Sequence, residues 1–281
     1  MKFNLMWSIL MTTTVIGGIA GEEMIFSYKV GQFDVYMLVE NRGQGNRSIL
    51  VGADEASINR YVPGGTYQSE TNTFLIRGGG KSIIVDTGFG TTIFDSMKKL
   101  GVNPADVDAV LLTHMHGDHI GGLAKDGKAL FAKAKVYVAQ QEREYWTISR
   151  VNQGAVNALK PYGGKVEDFL PADLDSGGIE LLPGIRAIAA FGHTPGHTVF
   201  LLESGGNKLL IWGDLMHAQG IQFPLPDVSV TYDTDPAAAA AIRKRILAWT
   251  VRNNVPVAGM HLVYPAIGKV QPDGAGYKLI P

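Results

Sequence analysis

The chain has 281 residues, 46% of them hydrophobic and only 18% charged, which excludes an intrinsically disordered chain and leaves enough apolar material for a large core. Its formal net charge is -1 and its longest basic run is "RKR" (243–245), which argues against nucleic acid as the main partner and favours a neutral or mildly charged small molecule. With no cysteine, disulfides, thiolate metal ligands and lipoprotein attachment are all excluded.

In chain order, residues 1–20 read as a cleaved signal peptide: Lys2 precedes an uncharged stretch that ends in small residues around Gly18 and Ala20. The threonines and glycines within it make a poor permanent membrane anchor, so a periplasmic or secreted protein of residues 21–281 is expected. "SYKVGQFDVYMLVE" (27–40) reads as strand, and the Gly-rich, polar residues 41–70 as a long loop. "NTFLIRGGGKSIIVDTGFG" (72–90) reads as two strands joined by a glycine turn, and "TTIFDSMKKLG" (91–101) as a helix opened by Thr and closed by Gly. "DAVLLTHMHGDH" is a buried strand running into a histidine cluster.

"KVYVAQQEREYWTI" predicts a strand and then a helix, with a second helix at 152–160. Four strands follow, "GIELLP", "IRAIAAF", "TVFLLES" and "KLLIWGD", and then the clearest helix, 235–254, with Pro at its first turn. "VPVAGMHLVYP" reads as one last strand. Without repeats or linkers this is one domain, with two sheets facing each other and helices outside.

The cluster "HMHGDH" sets His114, His116, Asp118 and His119 on a loop that Gly117 can turn inward. Neutral imidazole and carboxylate suit zinc and related first-row ions, and the two pairs suggest two ions. No G-x-S-x-G elbow offers a serine nucleophile, so metal-assisted hydrolysis by direct attack is the expected chemistry.

These residues resemble the metallo-β-lactamase superfamily. "HMHGDH" is similar to its signature, and "DTGFG" (86–90), "GHTPGHT" (192–198), "GD" (213–214) and "GMHLVYP" (259–265) follow in the family's order. The resemblance implies a four-layer αββα sandwich in the α/β class. It implies His114, His116 and His193 on one divalent ion, Asp118, His119 and His261 on a second, and Asp214 bridging both, with a metal-bridging hydroxide as nucleophile. The ions implied are zinc first, with Mn, Co or Fe as alternatives.

Residues 220–245 and 258–281 resemble the methyl parathion hydrolase-like branch, which implies ester, lactone or phosphotriester substrates and a homodimer. Apolar stretches in residues 25–51 are the expected interface. Alternatives are an acyl-homoserine lactonase, a β-lactamase-like hydrolase, or an iron-dependent redox member.

Asp118 is expected to orient the hydroxide, and His217 to donate near the bridging carboxylate or the reacting group. Asp86 would orient a ligand histidine, and His197 would brace its turn. Phe89, Phe94, Trp146, Phe223 and Tyr264 are candidates to line the substrate pocket, with "QFPLP" (222–226) as its rim.

Overall fold

Strands whose two faces are both apolar must be covered on both faces, and this chain has enough of them to build two sheets. A computed structural model describes residues 25–281; the signal peptide expected over residues 1–20 lies outside the described residues. One seven-stranded sheet runs, in spatial order, Ile25–Val30, Phe33–Asn46, Thr66–Gly78, Lys81–Val85, Ala109–Leu111, Lys135–Ala139 and Val166–Phe169. The other runs Ile179–Leu182, Ile185–Ala189, Thr198–Ser204, Asn207–Ile211, Val257–Ala258, Ile267–Asp273 and Gly276–Ile280.

The period-2 alternation of strand side chains divides the first sheet's apolar residues between two cores. Val35, Met37, Phe74, Ile76, Val85 and Leu111 enter the core between the sheets, against Ile185, Ala187, Val199 and Leu201. Leu38, Leu75, Ile84 and Val110 face outward, under the helices Ile93–Lys99 and Gln153–Leu159. On the far side the helix Pro236–Asn253 packs Ile246 and Leu247 onto the outer face of the second sheet. Its start is fixed by Asp235, whose carboxylate accepts from Ala238 N–H at 3.0 Å, and by Pro236 at the first turn. The layers are therefore helix, sheet, sheet, helix.

Several local expectations are corrected. Residues 27–40 are not one strand but part of a hairpin that turns at Gly31 and Gln32. Residues 41–70 are mostly not loop: the second strand continues to Asn46, Glu55–Tyr61 is a helix, and the third strand begins at Thr66. The extra length forms a two-stranded ribbon, pairing Asn41 with Thr71 through to Asn46 with Thr66, whose residues are polar and glycine-rich because it stands beyond the core. A register shift at Glu40 marks where the ribbon leaves the sheet.

Thr92 does not cap its helix with its own side chain. Glu40 accepts from Ile93 N–H at 2.8 Å, and the Thr92 hydroxyl donates back to the carbonyl of Glu40 at 2.9 Å. The last strand shrinks to Val257–Ala258, followed by a loop through His261 and an unanticipated hairpin, Ile267–Asp273 with Gly276–Ile280. Val30, Val35, Met37, Leu38 and Val39, part of the interface expected in residues 25–51, are all buried in the chain's own cores.

Candidate metal centre

The strands Ala109–Leu111, Asn207–Ile211 and Val257–Ala258 all end at one edge of the sandwich, and the loops after them carry His114 to His119, Asp214 and His261. The loop before Thr198–Ser204 brings His193 to the same edge. All seven residues expected as ligands converge there. His114, His116, His193 and Asp214 form one group whose donor atoms lie within 4.8 Å of one another, and Asp118, His119 and His261 form another. Asp214 joins them: its Oδ1 lies 3.1 Å from His119 Nε2, and its Oδ2 lies 3.1, 3.3 and 3.5 Å from the Nε2 atoms of His261, His193 and His114.

Proton bookkeeping shows that these donors suit a cation. Thr113 has one hydroxyl proton, and Asp86 Oδ2 takes it at 2.6 Å, so at 3.0 Å Thr113 Oγ1 must accept from His114 Nδ1–H. His193 Nδ1–H donates to Asp233 at 2.8 Å, His119 Nδ1–H to Asp86 at 2.7 Å, and His261 Nδ1–H to the carbonyl of Glu70 at 2.8 Å. In its neutral form each of these rings turns a bare Nε2 lone pair into the centre. Those of His114 and His193 face each other at 3.2 Å, and each lies 3.0 Å from His116 Nδ1. A tetrahedral ion with bonds of 2.0–2.1 Å would space its ligands about 3.3 Å apart. His119 Nε2 and Asp214 Oδ1 are also buried and lack a hydrogen bond of proper geometry. Once the rings are neutral, converging lone pairs and unpartnered donor atoms at this spacing fit metal ions.

Burial drives His114 well below the ordinary imidazole range and His116 down to about 4. Burial also pulls on His193, but Asp214 and Asp233 outweigh it and hold the ring up to about 9. Asp214 is fully buried, which would raise it, yet His119, His261, His114 and His217 keep it well below the usual carboxylate range.

Asp86, at the positive φ of 57°, accepts from His119 Nδ1–H and from the N–H and hydroxyl of Thr113. His197 donates through Nδ1 to Ala190 O and accepts Asp214 N–H at Nε2, both at 3.0 Å, so it fixes the shared aspartate's backbone. Gly213 makes this approach feasible: a Cβ there would stand 2.6 Å from His197 Nε2, and its φ is +56°. His217 lies in the centre, with Nε2 3.0 Å from Asp214 Oδ2 and its ring stacked on His261 at 4.8 Å.

Partners absent from the sequence reading are Asp233, Thr113, the Glu70 carbonyl and Asn72. The Asn72 amide donates to Met260 O and Leu262 O at 3.0 and 2.9 Å, clamping the His261 loop.

A cavity of about 740 Å³ opens over Asp118, Asp214, His217 and His261. Its other walls are neutral hydrogen-bonding groups of the ribbon, Gln44, Asn46, Tyr67 and Ser69, with Tyr232 opposite; among the described residues no Lys or Arg lines it. A second cavity of about 840 Å³ shares His116 and Gly117 and is walled by Trp146. Of the aromatic candidates only Trp146 borders the centre, its ring centroid 5.4 Å from that of His116. Phe223 is instead buried against Trp212, and "QFPLP" borders a separate cavity with Tyr277. Tyr264 packs on Phe26, Phe94 packs on Phe131, and Phe89 is 48% exposed away from both cavities. Aromatic identity without direction does not define a pocket.

The model of the metallo-beta-lactamase superfamily matches residues 66–248. An exodeoxyribonuclease WalJ from Streptococcus pneumoniae (strain D39) is 30% identical over 116 residues, 40% of this chain and 42% of that protein. An atrochrysone carboxyl ACP thioesterase from Aspergillus chevalieri is 29% identical over 194 residues, 66% of this chain and 59% of that protein. The chain thus spans only about half the length of these curated relatives. Among solved structures, AidC, a dizinc quorum-quenching lactonase in complex with a product, aligns with a TM-score of 0.82 at 25% identity, covering 92% of this chain and 97% of that one. The hydrolase AbOPH aligns with a TM-score of 0.82 at 26% identity, covering 94% and 98%.

Proposed function

The chain belongs to the metallo-beta-lactamase superfamily, and from that premise we propose that it is a hydrolase of uncharged esters, lactones or phosphotriesters that works with two divalent ions, zinc first among them. The observation that carries this reading is the pair of ligand groups joined by Asp214 and opening on a cavity walled by neutral donors. Held there, two divalent ions supply Lewis acidity, activating water near neutral pH and polarising a carbonyl or phosphoryl oxygen.

Asp118 is the ligand-set carboxylate open to the cavity, 24% exposed, with Oδ2 3.4 Å from His261 Nε2. It orients the attacking water and accepts its proton. His217 donates through Nε2 to Asp214 Oδ2 and so holds the shared carboxylate in place. Gln44, Asn46 and Ser69 offer hydrogen bonds to the rest of the substrate.

Among the described residues no Lys or Arg lines the cavity, which favours neutral substrates over a polynucleotide, because an anion's outer charges would find no side-chain countercharge there. The likeness to a dizinc lactonase supports lactones, and the thioesterase relative supports acyl bonds in general. The resemblance of residues 220–245 and 258–281 to the methyl parathion hydrolase-like branch supports phosphotriesters. Export to the periplasm or beyond belongs to the same reading and rests on residues 1–20 alone.

Metal content, followed by proton release on a panel, tests this. The panel holds an aryl ester, a dihydrocoumarin-type lactone, an acyl-homoserine lactone, methyl paraoxon and a β-lactam. Two ions per chain with turnover of the neutral members is the expected result. Two bound ions with silence throughout, or turnover of the β-lactam alone, would sink it, and iron with oxygen consumption would favour the redox alternative.

A further inference from the structure

Outside the ligand set, one buried carboxylate touches both loops that carry the first group of histidines. Glu142, on the helix Gln140–Glu144, is 1% exposed. Its Oε1 accepts from Met115 N–H at 2.9 Å and from the Trp146 indole N–H at 2.6 Å. Its Oε2 accepts from the Thr194 hydroxyl at 2.6 Å and from Gly196 N–H at 2.9 Å. Met115 stands between His114 and His116, and Thr194 and Gly196 stand between His193 and His197. Gly196 lets the two segments meet: a Cβ there would lie 2.4 Å from Glu142 N.

Four donors and no acceptor surround this side chain, so only a carboxylate satisfies them all. A glutamine in its place would turn its NH₂ towards a backbone N–H, of Met115 or of Gly196, whichever way the amide is flipped. Aspartate, one methylene shorter, cannot reach both loops from the same helix.

We propose that Glu142 is a positioning residue of the metal centre: one carboxylate sets the spacing of His114 and His116 against His193 and turns the Trp146 wall edge-on to His116. The proposal rests on the metal-hydrolase reading above, but its consequences are visible in metal binding alone. A residue of this kind acts through the ligands it holds, with effects of about 10–100-fold on metal affinity.

The test compares Glu142→Gln with Glu40→Gln. Glu40 is a similarly buried carboxylate with three donors, the Thr91 N–H and hydroxyl and the Ile93 N–H, none of them on either histidine loop. Full-length chains loaded with zinc are mixed with a chromophoric chelator, and zinc release, tryptophan emission and Tm are recorded. Glu142→Gln should release zinc about tenfold faster or more and change the tryptophan emission, while Glu40→Gln should lower Tm and keep the wild-type release rate. Equal release rates in both variants would overturn the proposal and leave Glu142 a structural residue. Should Glu142→Gln fail to fold, Thr194→Val removes one of the four donors, and a wild-type release rate in that variant would overturn the proposal equally. The readout needs no substrate, so silence on the substrate panel, which would sink the hydrolase reading, does not enter this test.

Discussion

His114, His116 and His193 hold three imidazole nitrogens 3.0–3.2 Å apart, whereas in the other half of the centre Asp118 Oδ2 stands 3.4 Å from His261 Nε2 and 3.6 Å from His119 Nε2. The first half's histidines offer nitrogen alone; Thr113 and Asp233 brace His114 and His193, and His116 lines both cavities. The second includes a carboxylate open to the cavity and a histidine braced by a backbone carbonyl. The difference separates two tasks. On the proposed reading, the tightly spaced imidazole set would hold an ion, and the set with a cavity-facing carboxylate would admit substrate and water.

The largest effect should come from removing the group both halves share. Asp214→Ala should lose both ions and lower kcat/KM by about 10³-fold or more, roughly 4 kcal/mol of transition-state stabilisation. Elemental analysis beside turnover checks it, and retention of two ions would break the idea of sharing. Asp118→Ala should keep the ion of the first half and lower kcat by about 10²–10³-fold, since it removes the group that handles the proton. If that variant instead emptied the histidine half, the division of tasks would be wrong. Asp233→Asn weakens a brace of the first half only, and an affinity loss of about 10–100-fold should show in a competition titration as earlier release from that half.

The smallest effect is on pH. In the metal-free chain, Asp214 and Asp233 overcome the downward pull of burial and hold His193 up to about 9. A proton bound more tightly when folded than at the ordinary value of 6.5 stabilises the fold fully below about pH 6.5, and that contribution is lost as pH rises through about 9. Zinc competes for the same nitrogen. The gap in Tm between zinc-loaded and metal-free chains should therefore widen from pH 6.5 to 9, and parallel curves would remove His193 from the account.

His114, His116, Asp118 and His119 fall in one short motif that reads as a ligand-bearing loop, whereas His193, Asp214 and His261 came only from resemblance to the superfamily. The strands were legible where both faces are apolar, as in Lys81–Val85 and Thr198–Ser204. The ribbon of residues 41–46 and 66–71 was not, because it faces a cavity on one side and solvent on the other and carries no apolar alternation. The final hairpin hid for a similar reason, its residues 271–276 reading as polar turn. The braces were hidden differently. Glu142 meets residues 27, 52 and 54 positions away, Asp233 meets His193 across 40, and the carbonyl under His261 is backbone and has no residue identity to read.

In a cysteine-free chain, ions held at Asp214 would do the work that a disulfide does elsewhere. His193 and His114 lie 79 residues apart on loops joined to strands of different sheets, so an ion shared between them would clamp the sandwich shut across its open edge. A ligand at a thousandfold excess over its dissociation constant adds about 4 kcal/mol to folding stability. How long the folded chain resists a protease would then be governed by the metal supply around it, and a chelated chain should be cut first at this edge.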